Sequence, residues 1–450
     1  MATDPSMLDI VEASHRLRAK TLTAEALTEA CLANIAARND ELRAFITVTG
    51  DQARAAAKQA DRELGSGHDR GPLHGIPIAL KDLIDQAGVR TTAASHVRPL
   101  TPAASDAVVT ARLKAAGAVL VGKTNLHEFA LGTTSEDSAF GAVRNPLDTT
   151  RSAGGSSGGS AAALVAGMAL GAIGTDTGGS IRIPSAACGL VGLKPGFGEV
   201  PVDGVVPLSA TLDHIGPIAR TVADAAAIHG VLARVTLRAL QPPPMARLRL
   251  GRLTGYFEEL LQPDVRTAYE AALARLAAAG ATIRSVSMPH AADAAAIYLH
   301  ICLPEGAAYH AETLERCPER YTPNVRLRFE MGRYILAEDY VRAMAARQVL
   351  AREVDAALSE VDALVLPTLA IVAPTLGAEL VEIGERRDSV RPVMLRLTQP
   401  FNLSRHPAVA LPCGTAAGLP VSMQVVGKHA RTGALLDLCA ALAPIVSAAL

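Results

Sequence analysis

The chain has 450 residues, a formal net charge of −1 and an apolar fraction of 49%, but only 3% of its residues are aromatic and none is tryptophan. That length allows one large core or two to three domains, packed mainly from alanine, valine and leucine. The near-neutral charge and the dispersed basic residues argue against binding to nucleic acid or to an anionic membrane surface.

Six widely separated cysteines, without a C-x-x-C pair, are typical of reduced and buried thiols. The sequence does not open with a basic segment followed by an apolar one, and the longest apolar run, 161–174, is too short to span a bilayer. We therefore expect a cytoplasmic protein without a membrane anchor.

Apolar periodicity and capping residues predict alternating helices and strands at the start of the chain. Thr23 has the hydroxyl favoured at a helix N-cap, and apolar side chains then recur every four residues. Lys81 ends a short apolar strand, where an isolated lysine would ordinarily lie in solvent. The predicted elements of this part are two helices over 6–38, helices over 51–64 and 108–116, and strands over 78–80 and 118–121.

Residues 117–124 match the phosphate-binding pattern G-x-x-x-x-G-K-[ST]. That pattern requires a strand before the first glycine and a loop between the two glycines. Here a predicted helix precedes Gly117, and the four intervening residues form a predicted apolar strand. We therefore expect no nucleotide site; Gly117 should end a helix, and Lys123 should position a neighbouring loop.

Two glycine–serine loops, around Ser156 and Ser180, flank one short apolar segment. Glycine allows close backbone approach, and consecutive loop amides form an anion-binding concavity. A helix over 160–170, ended by Gly171 and followed by a strand, would return the chain to its starting point. Ser156 and Ser180 are therefore predicted to share one site, in an arrangement suited to acyl transfer.

A stiff proline linker, 242–244, separates this part from the second half of the chain. The second half opens with a strand–helix–strand unit, so the coarse class is α/β. The elements predicted here are strands over 248–253, 283–286, 363–366, 408–411 and 421–426, a helix over 266–279, and helical structure over 300–355.

The loop 154–158 also matches G-x-S-x-G, the nucleophile elbow of α/β-hydrolases. Such an esterase would use Ser156 with a downstream histidine, for which His214, His229 and His406 are available. An elbow follows a buried strand, however, and the polar residues before this loop do not predict one. The elbow also leaves the second loop unexplained, so it is the weaker alternative.

Together these motifs resemble the amidase signature hydrolases. The similarity is dense over 65–230 and looser elsewhere. The segments that carry it are 75–82, 122–125, 128–130, 144–146, 154–160, 176–184, 192–195, 213–217 and 419–427.

The resemblance implies an α/β fold in which helices cover both faces of one large mixed sheet, as a single domain over 1–450. Within it, N-terminal helices would occupy 1–64 and the catalytic core 65–230. Residues 245–450 would complete the sheet, with a helical substrate-pocket segment at 300–345.

The resemblance also implies a Ser–cis-Ser–Lys triad, with Ser180 as the nucleophile, Lys81 as the general base and Ser156 as the proton relay. In this family the Gly155–Ser156 peptide is cis. Neither a metal nor an organic cofactor is implied, and none of the twelve histidines has ligand spacing. The expected reaction is hydrolysis of a C–N bond through an acyl-enzyme.

A lysine acts as a base only when it is neutral, and burial lowers its pKa from about 10.4. Asp82 is therefore expected to point away from Lys81. Asp176 and Arg182 flank the nucleophile and are expected to pair and brace its loop. The expected oxyanion hole is formed by the amides of Thr177, Gly178, Gly179 and Ser180. Further supporting positions are Gly155, Ser157, Asp176 and Arg182.

Two segments are expected to determine specificity. The first is a loop with Leu131, Gly132 and Thr133. The second is the helical segment, in which three aromatic side chains would either form an apolar pocket mouth or pack helices together; these are Tyr309, Tyr321 and Phe329.

The expected partner is a small molecule, and the expected assembly is a monomer or homodimer. Aryl and alkyl amides, carbamates (a urethanase activity) and ureas all remain open as substrates. The alternative within the family is the A-type component of a glutamyl-tRNA amidotransferase. It is disfavoured because the signature around that component's glutamine-binding residues is not found in the second half.

Overall fold

The computed structural model of the chain describes residues 4–236 and 238–447. Its strands are β1 (Phe45–Val48), β2 (Pro77–Lys81), β3 (Val119–Thr124), β4 (Arg144–Asn145), β5 (Asp148–Ser152), β6 (Gly171–Asp176), β7 (Val191–Lys194), β8 (His214–Ala219), β9 (Arg249–Leu253), β10 (Thr282–Val286), β11 (Ala363–Pro367), β12 (Leu380–Ile383), β13 (Arg386–Ser389), β14 (Ala408–Ala416) and β15 (Leu419–Val426).

The α-helices are α1 (Ile10–Arg18), α2 (Ala24–Leu42), α3 (Gly50–Gly65), α4 (Val108–Ala115), α5 (Gly158–Val165), α6 (Arg182–Ala187), α7 (Val222–Ala233), α8 (Pro263–Ala278), α9 (Ala294–Arg316), α10 (Pro323–Gly332), α11 (Ala337–Ala357), α12 (Val390–Leu395), α13 (Pro400–Leu403) and α14 (Thr432–Val446). Among these helices of the described residues, none combines the length and the apolar character needed to cross a membrane.

Eleven strands from both halves of the chain join one mixed sheet, in the order β1-β3-β2-β6-β8-β7-β14-β15-β11-β9-β10. β2 runs parallel to both of its neighbours, β3 and β6, whereas β8 runs antiparallel to β6. The strand–helix–strand unit of the second half forms the parallel pair β9–β10. The predicted α/β class with one large mixed sheet is confirmed.

The central strands β2, β3, β6 and β11 are buried along their whole length. Strands buried on both faces read as continuous apolar runs rather than alternating ones. Helices therefore cover both faces of the sheet at its centre. Polar side chains that enter this region must find partners within the protein.

The helix after Ser160 is shorter than predicted, because it ends at Val165 and Gly171 instead begins β6. Gly167 has a φ of +67°, a backbone conformation that favours glycine. It lets the Met168 amide donate to the Ala163 carbonyl at 2.8 Å and so close the helix end. Helix α5 is therefore ended by the turn at Gly167 and not, as predicted, by Gly171.

Residues 117–124 do not form a phosphate-binding loop. Gly117 follows α4 with a φ of +76°, and the residues after it form β3. Three of the four residues between the two glycines thus belong to a buried strand, which begins at Val119, one residue later than predicted. Lys123 lies inside that strand and forms an ion pair with Asp82, with 2.8 Å between Nζ and Oδ1.

Candidate active site

The site lies at the carboxyl ends of two neighbouring parallel strands. Lys81 is the last residue of β2, and Asp176 is the last residue of β6. Parallel strands end at the same edge of a sheet, so the loop after Asp176, which contains Ser180, lies beside Lys81. The sheet thus brings Lys81 and the Ser180 loop together, although they are about a hundred positions apart in the sequence.

The Lys81 side chain is completely buried. Its Nζ lies 2.7 Å from Ser156 Oγ and 2.7 Å from Thr175 Oγ1, within hydrogen-bond distance of both hydroxyls. Burial lowers the pKa of Lys81 to about 7, although the charges of Asp176 and Asp213 oppose this shift. A substantial fraction of Lys81 is therefore neutral near pH 7 and able to accept a proton.

Asp82, the residue after Lys81, points to the other side of the strand. Its carboxylate accepts hydrogen bonds from Lys123 Nζ at 2.8 Å, from the Thr92 amide at 2.9 Å and from the Thr92 hydroxyl. The expectation that Asp82 faces away from Lys81 is confirmed. Lys81 thus has no carboxylate in direct contact, among the residues that the structure describes, that would hold it protonated.

The Gly155–Ser156 peptide bond is cis, as the resemblance implied. The Ser156 carbonyl accepts hydrogen bonds from the His127 amide and the Ser135 hydroxyl, both at 3.1 Å. A Cβ atom at Gly155 would lie 2.8 Å from the backbone of Thr133 and Ser135. Only glycine fits there, so the loop holding Ser156 is packed tightly against the neighbouring segment.

Ser180 lies next to that loop and is 5% exposed. The Ser157 amide donates to the Ser180 carbonyl at 3.2 Å, which joins the two glycine–serine loops. The structure therefore brings these two loops together, as predicted. Within residues 4–236 and 238–447, the amides of Gly178, Gly179 and Ser180 have no hydrogen-bond acceptor. These amides are free to bind an oxygen atom of a ligand.

Asp176 and Arg182 form a completely buried ion pair, with 2.9 Å between Oδ1 and an Nη atom. Asp176 Oδ2 also accepts a hydrogen bond from the Ile181 amide at 3.1 Å. Arg182 keeps the pKa of Asp176 below its usual range, although burial opposes this effect. The expected pairing is confirmed, and it closes the loop that carries Ser180.

Three residues of the second half hold the same loop, and sequence reasoning did not single them out. Thr398 Oγ1 donates to the Gly178 carbonyl at 2.6 Å, and Asn402 Nδ2 donates to the Asp176 carbonyl at 3.0 Å. Gln424 accepts a hydrogen bond from Arg182. Of the three, only Gln424 lies in a segment that resembles the family.

Asp213 is a further carboxyl at this site, partly exposed, to which sequence reasoning assigned no role. It accepts hydrogen bonds from the Thr177 hydroxyl at 2.6 Å and from the Leu208 amide at 2.9 Å. Burial raises its pKa to about 6, while these hydrogen bonds and the charge of Lys81 oppose the shift. Asp213 thus anchors the start of the Ser180 loop.

A cavity of about 120 Å³ is lined by Thr175, Thr177 and Asp213, and two larger cavities lie close to these loops. The first of the larger two, which we call the His127 cavity, has a volume of about 580 Å³ and includes Thr133, beside Gly155. The second, the Tyr298 cavity, has a volume of about 390 Å³. The Tyr298 hydroxyl lies 2.7 Å from where a Cβ of Gly178 would be. Arg391 lines both of these larger cavities.

Of the six residues predicted to form the substrate pocket, only Thr133 lines the His127 cavity or the Tyr298 cavity. Thr133 lines the His127 cavity, and Leu131 offers its carbonyl to Arg328 at 3.1 Å. Gly132 packs against the His127 ring, where a Cβ would clash. The three predicted aromatic residues line neither of the two cavities: Tyr321 and Phe329 are buried around Phe129 and His310, and Tyr309 is half exposed.

The nucleophile-elbow alternative is wrong. The strand before Ser156, β5, belongs to a separate two-stranded sheet and not to the central one. The partner of the Ser156 hydroxyl is Lys81. His214 contacts the Leu212 carbonyl, while His229 and His406 lie beside carboxylates of Glu199 and Asp355.

The amidase family model matches residues 26–436 of this chain. A curated relative from Roseiflexus sp. (strain RS-1), named as the A-type component of glutamyl-tRNA(Gln) amidotransferase, is 39% identical over 94% of this chain and 93% of its own. The chain therefore belongs to the amidase family, the amidase-signature enzymes that cleave C–N bonds.

Solved structures of the family superimpose on this chain. One amidase crystal structure is 40% identical, covers 97% of this chain and 99% of its own, and has a TM-score of 0.91. The A-type component of the Thermotoga maritima glutamyl-tRNA(Gln) amidotransferase is 31% identical over 98% of this chain and 95% of its own, with a TM-score of 0.79. Relatives named as one component of a larger enzyme do not support the expected monomer or homodimer.

Proposed function

We propose that this protein hydrolyses the C–N bond of a small amide through an acyl-enzyme on Ser180. The observation that carries the proposal is the buried Lys81 amine, with a pKa lowered to about 7, at 2.7 Å from the hydroxyl of Ser156. A neutral amine in contact with a serine hydroxyl is a base already in place. Ser156 then connects that base to Ser180 in the adjoining loop.

In the proposed reaction, Ser180 Oγ attacks the carbonyl carbon of the amide. The Ser180 proton passes to Ser156 Oγ while the Ser156 proton passes to Lys81 Nζ, so that no charge builds up on either serine. The tetrahedral intermediate then expels the amine, which receives a proton back along the same path. Water, activated by the same groups, releases the acid from Ser180.

The free amides of Gly178, Gly179 and Ser180 support an oxyanion hole at this loop. Backbone donors that are held in place before the reaction stabilise the negative oxygen of the tetrahedral intermediate. The Asp176–Arg182 ion pair and the Thr398 hydrogen bond hold the same loop in place. The backbone amides of the loop therefore do not have to be ordered when the substrate binds.

We further propose that the substrate carries a carboxylate. Arg391 forms no hydrogen bond or ion pair within the described residues, and its Nε is buried. Arg328, on the wall of the same cavity, binds only the Leu131 carbonyl at 3.1 Å within that part of the chain. The nearby Asp137 lies 3.2 Å from His127 Nε2 and is also bonded by Asn324. Glu136 and Glu379 line the same cavity, and the charge of Asp137 acts on both arginines. Neither arginine forms a salt bridge with these carboxylates within the described residues, which leaves both guanidinium groups able to bind an anionic ligand.

A second candidate function is that of an amidotransferase component, which would release ammonia from glutamine. The observation that favours it is that the curated relative at 39% identity has this name, as do seven further relatives at 36–39% identity. Glutamine is itself an amide with a carboxylate, so the cavity is compatible with both functions. These eight names favour the second candidate over the first, and the observation on the side of the first is the higher TM-score to a structure named as an amidase, 0.91 against 0.79.

The two candidates differ in substrate range and in dependence on partners. We would measure ammonia or amine release from matched pairs of amides with and without a carboxylate, together with glutamine, carbamates and ureas. Hydrolysis of several carboxylated amides by the isolated chain supports the first candidate. Hydrolysis of glutamine alone, and only with partner proteins present, supports the second. Absence of labelling of Ser180 by a fluorophosphonate contradicts both.

A further inference from the structure

Far from Ser180 in sequence, three side chains from separate segments meet at the second half of the sheet. Asp355 lies near the C-terminal end of α11, His406 precedes β14, and His429 follows β15. One ligand atom from each lies within 4.8 Å of the other two. The imidazole rings of the two histidines are close together, with their centroids 3.6 Å apart.

The hydrogen bonds of His406 determine which nitrogen carries its proton. Its Nδ1 lies 3.1 Å from the Ser404 carbonyl, which can only accept, so Nδ1 must be the donor. In a neutral ring, Nε2 then holds a lone pair. That lone pair faces Asp355 Oδ1 at 3.1 Å. Two lone pairs so close repel each other unless a proton or a metal cation lies between them.

The His406 side chain is completely buried, so no water molecule from bulk solvent separates its Nε2 from Asp355 Oδ1. A metal cation satisfies both atoms and leaves the ring neutral. The Nδ1 contact fits this role, because metal-binding histidines usually donate their second ring N–H to a carbonyl or carboxylate. The separation of 3.1 Å is also close to the roughly 3.3 Å between two ligands of a tetrahedral zinc ion.

We propose that Asp355, His406 and His429 form a binding site for a divalent transition metal such as zinc. Two imidazoles and one carboxylate suit zinc, whereas magnesium and calcium prefer oxygen ligands alone. Asp355 and His429 are exposed, so small rotations of their side chains can bring them to coordination distance. A water molecule would complete a tetrahedral site on the solvent side.

Two neighbouring positive charges, Lys194 and Arg405, oppose a cation at this site. Lys194 Nζ donates to the His406 carbonyl at 2.6 Å and to the Pro195 carbonyl at 3.1 Å. These contacts direct the ammonium to backbone oxygens. The carboxylate of Asp355 supplies the negative charge at the ring itself.

The metal would connect the end of α11 to the loops that flank β14 and β15. The His406 loop follows directly on α13, which holds Asn402 against Asp176. We therefore expect the metal to stabilise the folded chain. Sequence spacing gave no indication of this site, because the three residues are separated by 51 and 23 positions and belong to different elements.

The test is titration of the tag-free, chelator-treated protein with zinc chloride, followed by calorimetry and by thermal unfolding. We expect one zinc ion per chain and a melting temperature that rises with zinc but not with magnesium. His429→Gln and Asp355→Asn replace exposed ligands and should fold normally. Each should weaken zinc binding at least about tenfold, because three ligands become two.

His290→Gln is the matched control. His290 is an exposed histidine that lies beside the carboxylate of Glu353. Glu353 belongs to α11, the helix that also carries Asp355. It should bind zinc as the unaltered chain does. Equal zinc affinity in all four proteins would mean adventitious surface binding and would overturn the proposal. Absence of zinc binding would overturn it as well and would make His406–Asp355 an ordinary ion pair.

Discussion

Lys81 and Lys123 lie on neighbouring parallel strands of one sheet, and both side chains are completely buried. The register pairs Lys81 with Thr124 and Lys123 with Leu80. Because successive residues of a strand point to opposite faces, this offset of one residue directs the two lysines to opposite faces of the sheet. Lys123 meets the carboxylate of Asp82, whereas Lys81 meets the hydroxyls of Ser156 and Thr175.

The comparison shows that burial alone does not make a lysine a base. Both side chains lose their hydration, but an adjacent carboxylate stabilises the charged form of one and only hydroxyls contact the other. Lys123 is thus a structural cation, and Lys81 is the candidate base. Four experiments test this distinction.

The largest effect is expected from Ser180→Ala, because the function proposed for Lys81 requires a nucleophile beside it. Amide hydrolysis should fall by about 10⁴-fold or more, while the melting temperature stays nearly unchanged. Steady-state kinetics on a carboxylated amide would measure the loss. If the variant kept even a tenth of the activity, Ser180 would not be the nucleophile for which Lys81 acts as the base.

Lys81→Met and Lys123→Met should fail in different ways. Lys81→Met removes the base and should lower kcat by about 10²- to 10⁴-fold with little change in stability. Lys123→Met leaves the buried carboxylate of Asp82 without its cation and should cost about 3–5 kcal/mol of unfolding free energy. Activity assays and urea denaturation of both variants make the test. Equal losses of unfolding free energy in the two variants would contradict the distinction between a base and a structural cation.

Arg391→Leu tests the contrast between paired cations, such as Arg182, and unpaired ones. Losing a charged hydrogen bond to the substrate should lower kcat/KM for carboxylated amides by about 10- to 100-fold. Neutral amides should be hydrolysed at the original rate. Arg387→Leu, on the exposed hairpin β12–β13, is the control and should behave normally. A loss that is the same for neutral amides would contradict carboxylate recognition.

The smallest effect is the pH dependence. The neutral form of Lys81 is the active one, and its pKa is about 7. kcat/KM should therefore rise about tenfold from pH 6 to pH 8 and then level off. Asp213, whose pKa is raised to about 6, titrates nearby. A rise that persists in Asp213→Asn belongs to Lys81, and one that disappears in it does not.

Local patterns in the sequence predicted much of the fold. Thr23 caps α2 as expected, with the Ala26 amide donating to its hydroxyl at 3.0 Å. Strand β8 was missed because its residues include Gly216 and Pro217, which are rare inside strands. Its neighbours in the sheet, and not its own propensity, keep it extended.

The lengths of the elements between Ser156 and Ser180 predicted that these two serines share one site, whereas Lys81 was added to the proposed triad through the family resemblance, because Lys81 and Ser156 meet only when β2 and α5 are in place. Thr398 and Asn402 were missed for a related reason. An isolated threonine or asparagine has no pattern that marks it, and only the folded sheet brings α13 to the Ser180 loop. Arg391 likewise became noticeable only by its lack of a partner among the described residues.

The brace on the Ser180 loop also has a consequence for biosynthesis. Arg182 depends on Asn402 and Gln424, which are synthesised more than two hundred residues after it. Until those residues leave the ribosome, the arginine lacks two of its hydrogen-bond partners and the loop is not fixed. The loop that carries Ser180 therefore gains its full set of bracing hydrogen bonds only when the polypeptide is nearly complete.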